Sequence, residues 1–158
     1  MLQISHYQKK HKEGVSILIA EISTEFTEPI SLPNASSKKR IIDKYWVAEK
    51  DGLVVGTIGI IRLEDKNAIL KSMFVKKEYR DKKNGVSRSL LQIAINWSRK
   101  EQITNILLGT MTQFEAAHKF YEKNNFHAIE KTQLPIDFIN NPIDDIFYKF
   151  DLSTKNTK

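Results

Sequence analysis

Residues 73–97 read MFVKKEYRDKKNGVSRSLLQIAINW and form the junction around which the rest of the chain is organised. An apolar run ends at Val75, a basic turn follows, and from Gly85 onward apolar residues recur three or four positions apart. This pattern predicts a strand, a turn and an amphipathic helix. The first N–H groups of a helix lack intrahelical partners and carry the positive end of its dipole, so such a junction can bind an anion. An ordinary helix entry with solvated lysines explains the same residues, and the turn alone favours that simpler interpretation.

The stretches on either side of this junction predict a mixed sheet covered by helices. Two β-rich runs flank Asp51-Gly52, a pair that a type I′ hairpin turn prefers. A segment with two prolines, 28–40, reads as a loop. The other predicted elements are strands at 2–5, 68–75, 105–111, 127–132 and 145–152, and helices at 9–26 and 114–124. The fold class is therefore α/β, with α and β elements mixed around one sheet.

Composition limits the function classes. The chain has 158 residues, no cysteine and a net charge of +6 with a pI of about 9.4. It shows no signal peptide and no apolar run of the roughly 20 residues that cross a bilayer, so we expect a cytoplasmic protein without a membrane partner. The positive charge favours an anionic partner, and its scattered distribution favours a small anion over nucleic acid.

A second motif lies at 116–126, AAHKFYEKNNF. Phe120 and Phe126 are most simply core residues, and so is Tyr121 unless its hydroxyl lies beside the anion site. Taken with residues 73–91, this motif resembles the GNAT (GCN5-related N-acetyltransferase) family. The family's phosphate loop has Gln or Arg, two residues, Gly, one residue, then Gly or Ala. In this chain Lys82, Gly85 and Ser87 occupy those positions.

The resemblance covers residues 2–152 as one domain, with 153–158 as a disordered basic tail. It implies a GNAT-like acyl-CoA N-acyltransferase fold: a mostly antiparallel sheet, splayed between strands 4 and 5, with helices on both faces. It also implies acetyl-CoA as cosubstrate and no metal. The cofactor-binding positions that it assigns are Met73, Val75, Lys82, Lys83, Asn84, Gly85, Val86, Ser87, Arg88 and His118.

The resemblance further implies that an amine attacks the thioester directly. Tyr121 would be the general acid for the departing sulfur, and a backbone N–H near Val75 could polarise the carbonyl. The family's central-strand glutamate is replaced here by Ile69, and a helix position often held by Asn is Phe114. Glu25 is therefore the candidate base, although the sequence favours the simpler interpretation of a solvated helix carboxylate.

Two further classes of function stay open at this point. The chain could be a non-catalytic CoA-binding or regulatory module of the same fold, or a basic nucleic-acid-binding domain. As an enzyme it would acetylate a small-molecule amine or a peptide amine, and the sequence does not identify which. Because many relatives form dimers, the resemblance also allows a homodimer.

Overall fold

The computed structural model describes residues 2–26, 42–80, 85–138 and 142–153. The strands are β1 (Leu2–His6), β2 (Lys44–Lys50), β3 (Leu53–Arg62), β4 (Asn67–Val75), β5 (Asn105–Thr110), β6 (His127–Ile129) and β7 (Ile146–Asp151). The α-helices are α1 (Lys12–Ser23), α2 (Val86–Lys100) and α3 (Glu115–Lys123). The seven strands form one sheet in the order β1-β2-β3-β4-β5-β7-β6, in which only β4 and β5 pair in parallel. The predicted fold class is confirmed.

The element boundaries follow local capping. Asp51 and Gly52 both have positive φ angles, 54° and 82°, as the predicted type I′ turn requires. The predicted helix at 9–26 is shorter, because the Thr24 hydroxyl donates to Glu21 O at 2.6 Å and ends α1. The predicted strand at 127–132 also stops early. There Glu130 caps a short 3₁₀ turn, with its N–H donating to Gln133 Oε1 at 2.8 Å.

The sheet is covered on both faces. Trp46 and Ala48 pack with α2 and α3, whereas Val47 between them packs with α1. Successive side chains of a strand point to opposite faces, so the two cores lie on opposite sides of the sheet. A Cβ on Gly56 would lie 2.9 Å from Leu90 Cδ1, so this glycine lets α2 pack directly on β3. None of the helices in the described ranges is long and apolar enough to cross a bilayer.

The sheet divides between β4 and β5. The two strands are paired only at Asn67–Asn105, Ala68–Ile106 and Ile69–Leu107. Beyond these pairs β4 continues to Val75 and β5 to Thr110 without pairing each other. This is the splay expected from the family resemblance, and it leaves backbone groups of both strands facing a gap.

A β-bulge bends β4 where the gap opens. The register with β3 shifts between Thr57–Phe74 and Gly59–Lys71, and Ser72 has a left-handed φ of 54°. The buried Thr57 hydroxyl donates to Ser72 O at 2.7 Å and holds this conformation. The bulge therefore turns the second half of β4 away from β5.

Candidate active site

The gap between β4 and β5 widens into a cleft of about 1150 Å³. Its walls come from the end of α1, the second half of β4, the end of β5, α3 and the segment before β7. Among the residues predicted for the site, the cleft brings together Glu25, Met73, Val75, Ser87 and Tyr121.

The backbone of β4 at Val75 faces this cleft. Lys76 N–H donates to Val55 O on β3 at 2.8 Å. Backbone groups of neighbouring residues point to opposite sides of a strand, so the N–H and C=O of Val75 point into the gap. Arg80 Nε donates to Val75 O at 2.8 Å, which agrees with that direction. The Val75 N–H is thus placed to donate to a group bound between the strands.

A second, smaller cavity of about 210 Å³ lies at the start of α2. Gly85 is the N-cap with a left-handed φ of 65°, a conformation that glycine adopts without strain. Among the described residues, none caps the first turn with its side chain, and the turn itself contains no acidic residue, so it offers N–H donors to an anion. Four cationic side chains of the described part of the chain line this cavity: Arg80, Arg88, Lys119 and Lys123.

The predicted phosphate-loop residues divide into three groups. Gly85, Ser87 and Arg88 line the smaller cavity. The Val86 side chain is fully buried in the core, so only its backbone could contact a ligand. Lys82, Lys83 and Asn84 lie outside the described residues.

Glu25 reaches the cleft, but its carboxylate is occupied. Arg80 donates from both terminal nitrogens to the two Glu25 oxygens, at 2.7 and 2.8 Å. One turn earlier, Glu21 accepts a 2.6 Å hydrogen bond from Lys76 Nζ. These two ion pairs join the end of α1 to the chain that follows β4. The role of Glu25 as a base stays a prediction, and this geometry favours a role in positioning Arg80.

Tyr121 lies deep in the cleft wall, with 7% of its surface exposed. Its hydroxyl contacts Met73 Sδ of β4 at 3.9 Å. Burial raises the pKa of Tyr121, and the neighbouring Asp144 and Tyr148 raise it further. The phenol is therefore protonated at neutral pH and can donate a hydrogen bond or its proton to a group bound in the cleft.

His118 points elsewhere. Its Nε2 lies 2.8 Å from Met111 O, and because a carbonyl only accepts, Nε2 carries the proton. It is absent from the lining of both cavities, as far as the described residues define them. Its assignment to cofactor binding stays a prediction that this position does not support.

Sequence reasoning did not single out several charged residues of the cleft, and two of them are close enough to influence each other's charge. Asp144, just before β7, and Lys71 on β4 both line the cleft. Burial raises the pKa of the Asp144 carboxyl to about 6. Of its charged neighbours, Lys71 lowers this pKa and Asp145 raises it. No sequence spacing links Asp144 to the two motifs. By contrast, Lys119 and Lys123 of the smaller cavity could have been found from the sequence, because residues four apart share a helix face.

The positions where the sequence departs from the family pattern are apolar here. Ile69 is 1% exposed and packs with Ile61 and Leu63. The ring of Phe114 lies edge-on to Phe26, with centroids 4.7 Å apart. A search of the described ranges finds no cluster of acidic or imidazole groups suited to a metal ion.

Comparisons with known proteins give the family. The acetyltransferase (GNAT) domain matches residues 42–128, more than half of the chain. N-acetylaspartate synthetase from Danio rerio is 30% identical over 109 residues, which are 66% of this chain and 38% of that protein. The chain thus spans less than half the length of this relative.

Solved structures share the whole architecture. An acetyltransferase of the GNAT family from Staphylococcus aureus Mu50 is 31% identical with a TM-score of 0.86, over 96% of this chain and 99% of that one. The PaiA N-acetyltransferase from Thermoplasma acidophilum, solved in complex with coenzyme A, is 15% identical with a TM-score of 0.71, over 96% and 99% of the two chains. The second likeness concerns the fold alone. The split sheet, the glycine-capped helix and these matches together show that the chain belongs to the GNAT acetyltransferase family.

Proposed function

We propose that this chain transfers the acetyl group of acetyl-CoA to a primary amine. The observation that carries the proposal is the continuity of the two cavities. The gap between β4 and β5 meets the start of α2, and both cavities share Arg80, Ser87 and Phe120. One elongated molecule with an anionic end and an amide-bearing arm fits such a surface.

The anionic end of CoA suits the smaller cavity. Its pyrophosphate would accept hydrogen bonds from the backbone N–H groups that begin α2 at Gly85. Arg88, Lys119 and Lys123 add positive charge around the same cavity. The pantetheine arm would lie along β4 and hydrogen-bond with Met73 and Val75 as an added strand does.

The acetyl group would then lie where β4 and β5 diverge. There the Val75 N–H can polarise the thioester carbonyl, and the amine attacks its carbon from the open side of the cleft. Tyr121, which lines the cleft beside Met73, would donate a hydrogen bond or a proton to the departing sulfur. An acceptor ammonium must lose a proton before it can attack, since a free alkyl amine has a pKa near ~10.4.

The identity of the acceptor is open, and the relatives suggest where to begin. The Danio rerio relative is named N-acetylaspartate synthetase, so L-aspartate is the first acceptor to test. L-lysine, spermidine and a short peptide with a free α-amine complete a panel that covers small and peptide amines. A cytoplasmic location and a homodimer stay predictions of the sequence.

The first test is whether CoA binds at the start of α2. CoA should raise the melting temperature of the protein, because a ligand of the folded state shifts unfolding by mass action. Gly85→Glu should abolish this rise, since it puts a carboxylate where the pyrophosphate would bind. Gly52→Glu is the matched control: it also replaces a left-handed glycine, but in the hairpin turn with no atom within 4 Å of the added Cβ.

Two outcomes would contradict parts of the proposal. A CoA-induced rise that persists in Gly85→Glu would reject the helix-start assignment. A rise in the wild type without release of thiol from acetyl-CoA on any amine of the panel would favour the non-catalytic CoA-binding module instead.

A further inference from the structure

Asp144 occupies a position at the cleft that the family pattern does not explain. Its carboxylate packs against Gly109 of β5, where a Cβ would lie only 2.7 Å from Asp144 Oδ2. Glycine at this position therefore makes room for the carboxylate. On the cleft side Asp144 shares the lining with Met73 and Tyr121, at the place where β4 and β5 separate.

The neighbouring aspartate holds this segment in place. Asp145 N–H donates to Thr110 O at 2.9 Å. Its carboxylate accepts from the Thr112 N–H at 2.9 Å and from the Thr112 hydroxyl at 2.8 Å. Asp145 thus anchors the start of β7 to the end of β5, which fixes the adjacent Asp144 beside the cleft.

Asp144 itself has no such partner. Within the described ranges no hydrogen bond or ion pair engages its carboxylate, although the side chain is partly buried. Two other carboxylates that line the cleft, Glu21 and Glu25, are bound by Lys76 and Arg80. Partly burying a carboxylate without a partner costs free energy, so a bound ligand is the natural source of its missing hydrogen bonds.

We propose that Asp144 is the general base that binds the acceptor's ammonium group and removes its proton. The inference rests on the acetyltransferase function proposed above. It assigns a residue to the deprotonation of the acceptor's ammonium group, a step for which that function names none. Three charged or titratable groups surround Asp144 among the described residues: Lys71 from β4, Asp145 from its own segment and Tyr121 from α3. The raised pKa, about 6, brings the carboxylate closer to neutral pH, where a base is most effective.

The protons balance in this scheme. The ammonium gives one proton to Asp144, and the freed lone pair forms the C–N bond to the thioester carbon. The C–S bond breaks, and the sulfur takes a proton from the Tyr121 hydroxyl. The phenol recovers a proton from the nitrogen as the amide forms, and Asp144 releases its own proton to solvent. The products are an amide, a thiol and one proton.

The test compares three variants on the panel amine that gives the wild type its highest kcat/KM. Asp144→Asn should lower kcat/KM at pH 7 by about 10²–10⁴-fold, the usual contribution of one general base. Asp144→Glu, which keeps a carboxylate, should recover part of the rate. Asp151→Asn removes a carboxylate at the other end of β7, outside the lining of the cleft, and should stay close to the wild type.

The pH dependence separates a base from a structural residue. Without a base, the variant depends on amine that is already free, whose fraction rises about tenfold per pH unit below the pKa of the ammonium. The deficit of Asp144→Asn should therefore shrink by about tenfold per unit from pH 7 towards pH 10. A structural defect would leave the deficit constant with pH. The CoA-induced rise in melting temperature should be unchanged in Asp144→Asn.

Two results would overturn the assignment. Wild-type turnover that Asp144→Asn retains in full at pH 7, or loses by a factor independent of pH, would exclude Asp144 as the base and leave the proposed function standing. Absence of wild-type turnover on every amine would overturn both proposals together.

Discussion

Among the described residues, the Tyr121 hydroxyl makes one weak contact, the 3.9 Å approach to Met73 Sδ. Its ring packs against Phe120, Phe126 and Tyr148. Most of the residue's contribution to stability therefore comes from the ring, and little from the hydroxyl. A buried hydroxyl with so poor a partner in the protein is available to a ligand in the cleft.

Replacing Tyr121 with Phe should separate these two contributions. We expect kcat to fall about 10²–10⁴-fold, because one positioned proton donor is lost. The melting temperature and the CoA-induced shift should stay near normal, since the ring is kept. Steady-state kinetics and thermal unfolding measure the two effects.

Tyr148→Phe is the matched control, because Tyr148 donates a 2.8 Å hydrogen bond to Glu122 and is equally buried. It should lower stability and leave kcat unchanged. If Tyr121→Phe behaved in the same way, Tyr121 would be a core residue rather than an acid.

Residues carried by a local motif were predictable, and residues brought in from a distance were not. Gly85 was predictable, because a helix entry with a left-handed N-cap requires glycine. Tyr121 follows from its place in the second motif. Asp144 belongs to no pattern: it is adjacent to Gly109 only because β7 pairs with β5. That pairing joins distant parts of the sequence, and sequence spacing cannot place one carboxylate against one glycine.

At the scale of the elements, the bulge in β4 decides the shape of the site. Periodicity predicted β4, the hairpin and α2, since each has a regular apolar pattern and a clear turn. It could not predict the left-handed φ of Ser72, because that conformation depends on the Thr57 hydroxyl 15 residues earlier. The bulge redirects Met73 and Val75 towards the cleft, so the edge of β4 that we propose for cofactor binding depends on one hydrogen bond across the sheet.

Thr57→Val tests this dependence with nearly unchanged side-chain volume. We expect it to lower the free energy of unfolding by about 1–3 kcal/mol, because Ser72 O loses its partner at a buried position. It should also raise KM for acetyl-CoA, because the β4 edge no longer keeps its register. Denaturant titration and initial rates measure the two effects.

Ser98→Ala is the control for Thr57→Val. Ser98 is fully buried and its hydroxyl has no hydrogen-bond partner in the described part of the chain, so the change should cost little stability and leave KM unaffected. Equal effects of the two substitutions on KM would show that β4 keeps its edge without the Thr57 bond.

At the scale of the whole molecule, the sheet consists of two parts that meet along a short seam. Strands β1 to β4 form one part and β5, β7 and β6 the other, and only the three residue pairs between β4 and β5 join them within the sheet. The helices and the core around Leu90 and Ile106 supply the rest of the connection. A partly buried carboxylate beside this seam is a cost in stability that a functional cleft can explain.

That cost gives the last prediction, a pH-dependent gain in stability for Asp144→Asn. Burial raises the Asp144 pKa from 3.8 to about 6, so the folded protein holds this proton more tightly than the unfolded chain. The resulting stabilisation is complete below pH 3.8 and is lost as the pH rises through about 6. Since Asn stays neutral, the variant should become more stable than the wild type over this range. Above it we expect a gain of about 1 kcal/mol, after allowing for solvent screening.

Urea unfolding of both proteins between pH 4.5 and pH 8 measures the gain. Asp151→Asn provides a control of opposite sign, because hydrogen bonds from Ser153 lower the pKa of Asp151. That variant should be less stable than the wild type at pH 8, by a difference that becomes smaller as the pH falls.

If Asp144→Asn were also less stable than the wild type at pH 8, the Asp144 carboxylate of the wild type would be making a stabilising contact in the free protein. The argument that this carboxylate is free to bind the acceptor's ammonium group would then fail. If instead Asp144→Asn gains stability and loses turnover, the same carboxylate explains both effects. Its desolvation destabilises the fold, and the same desolvation brings its pKa towards the range that a base needs.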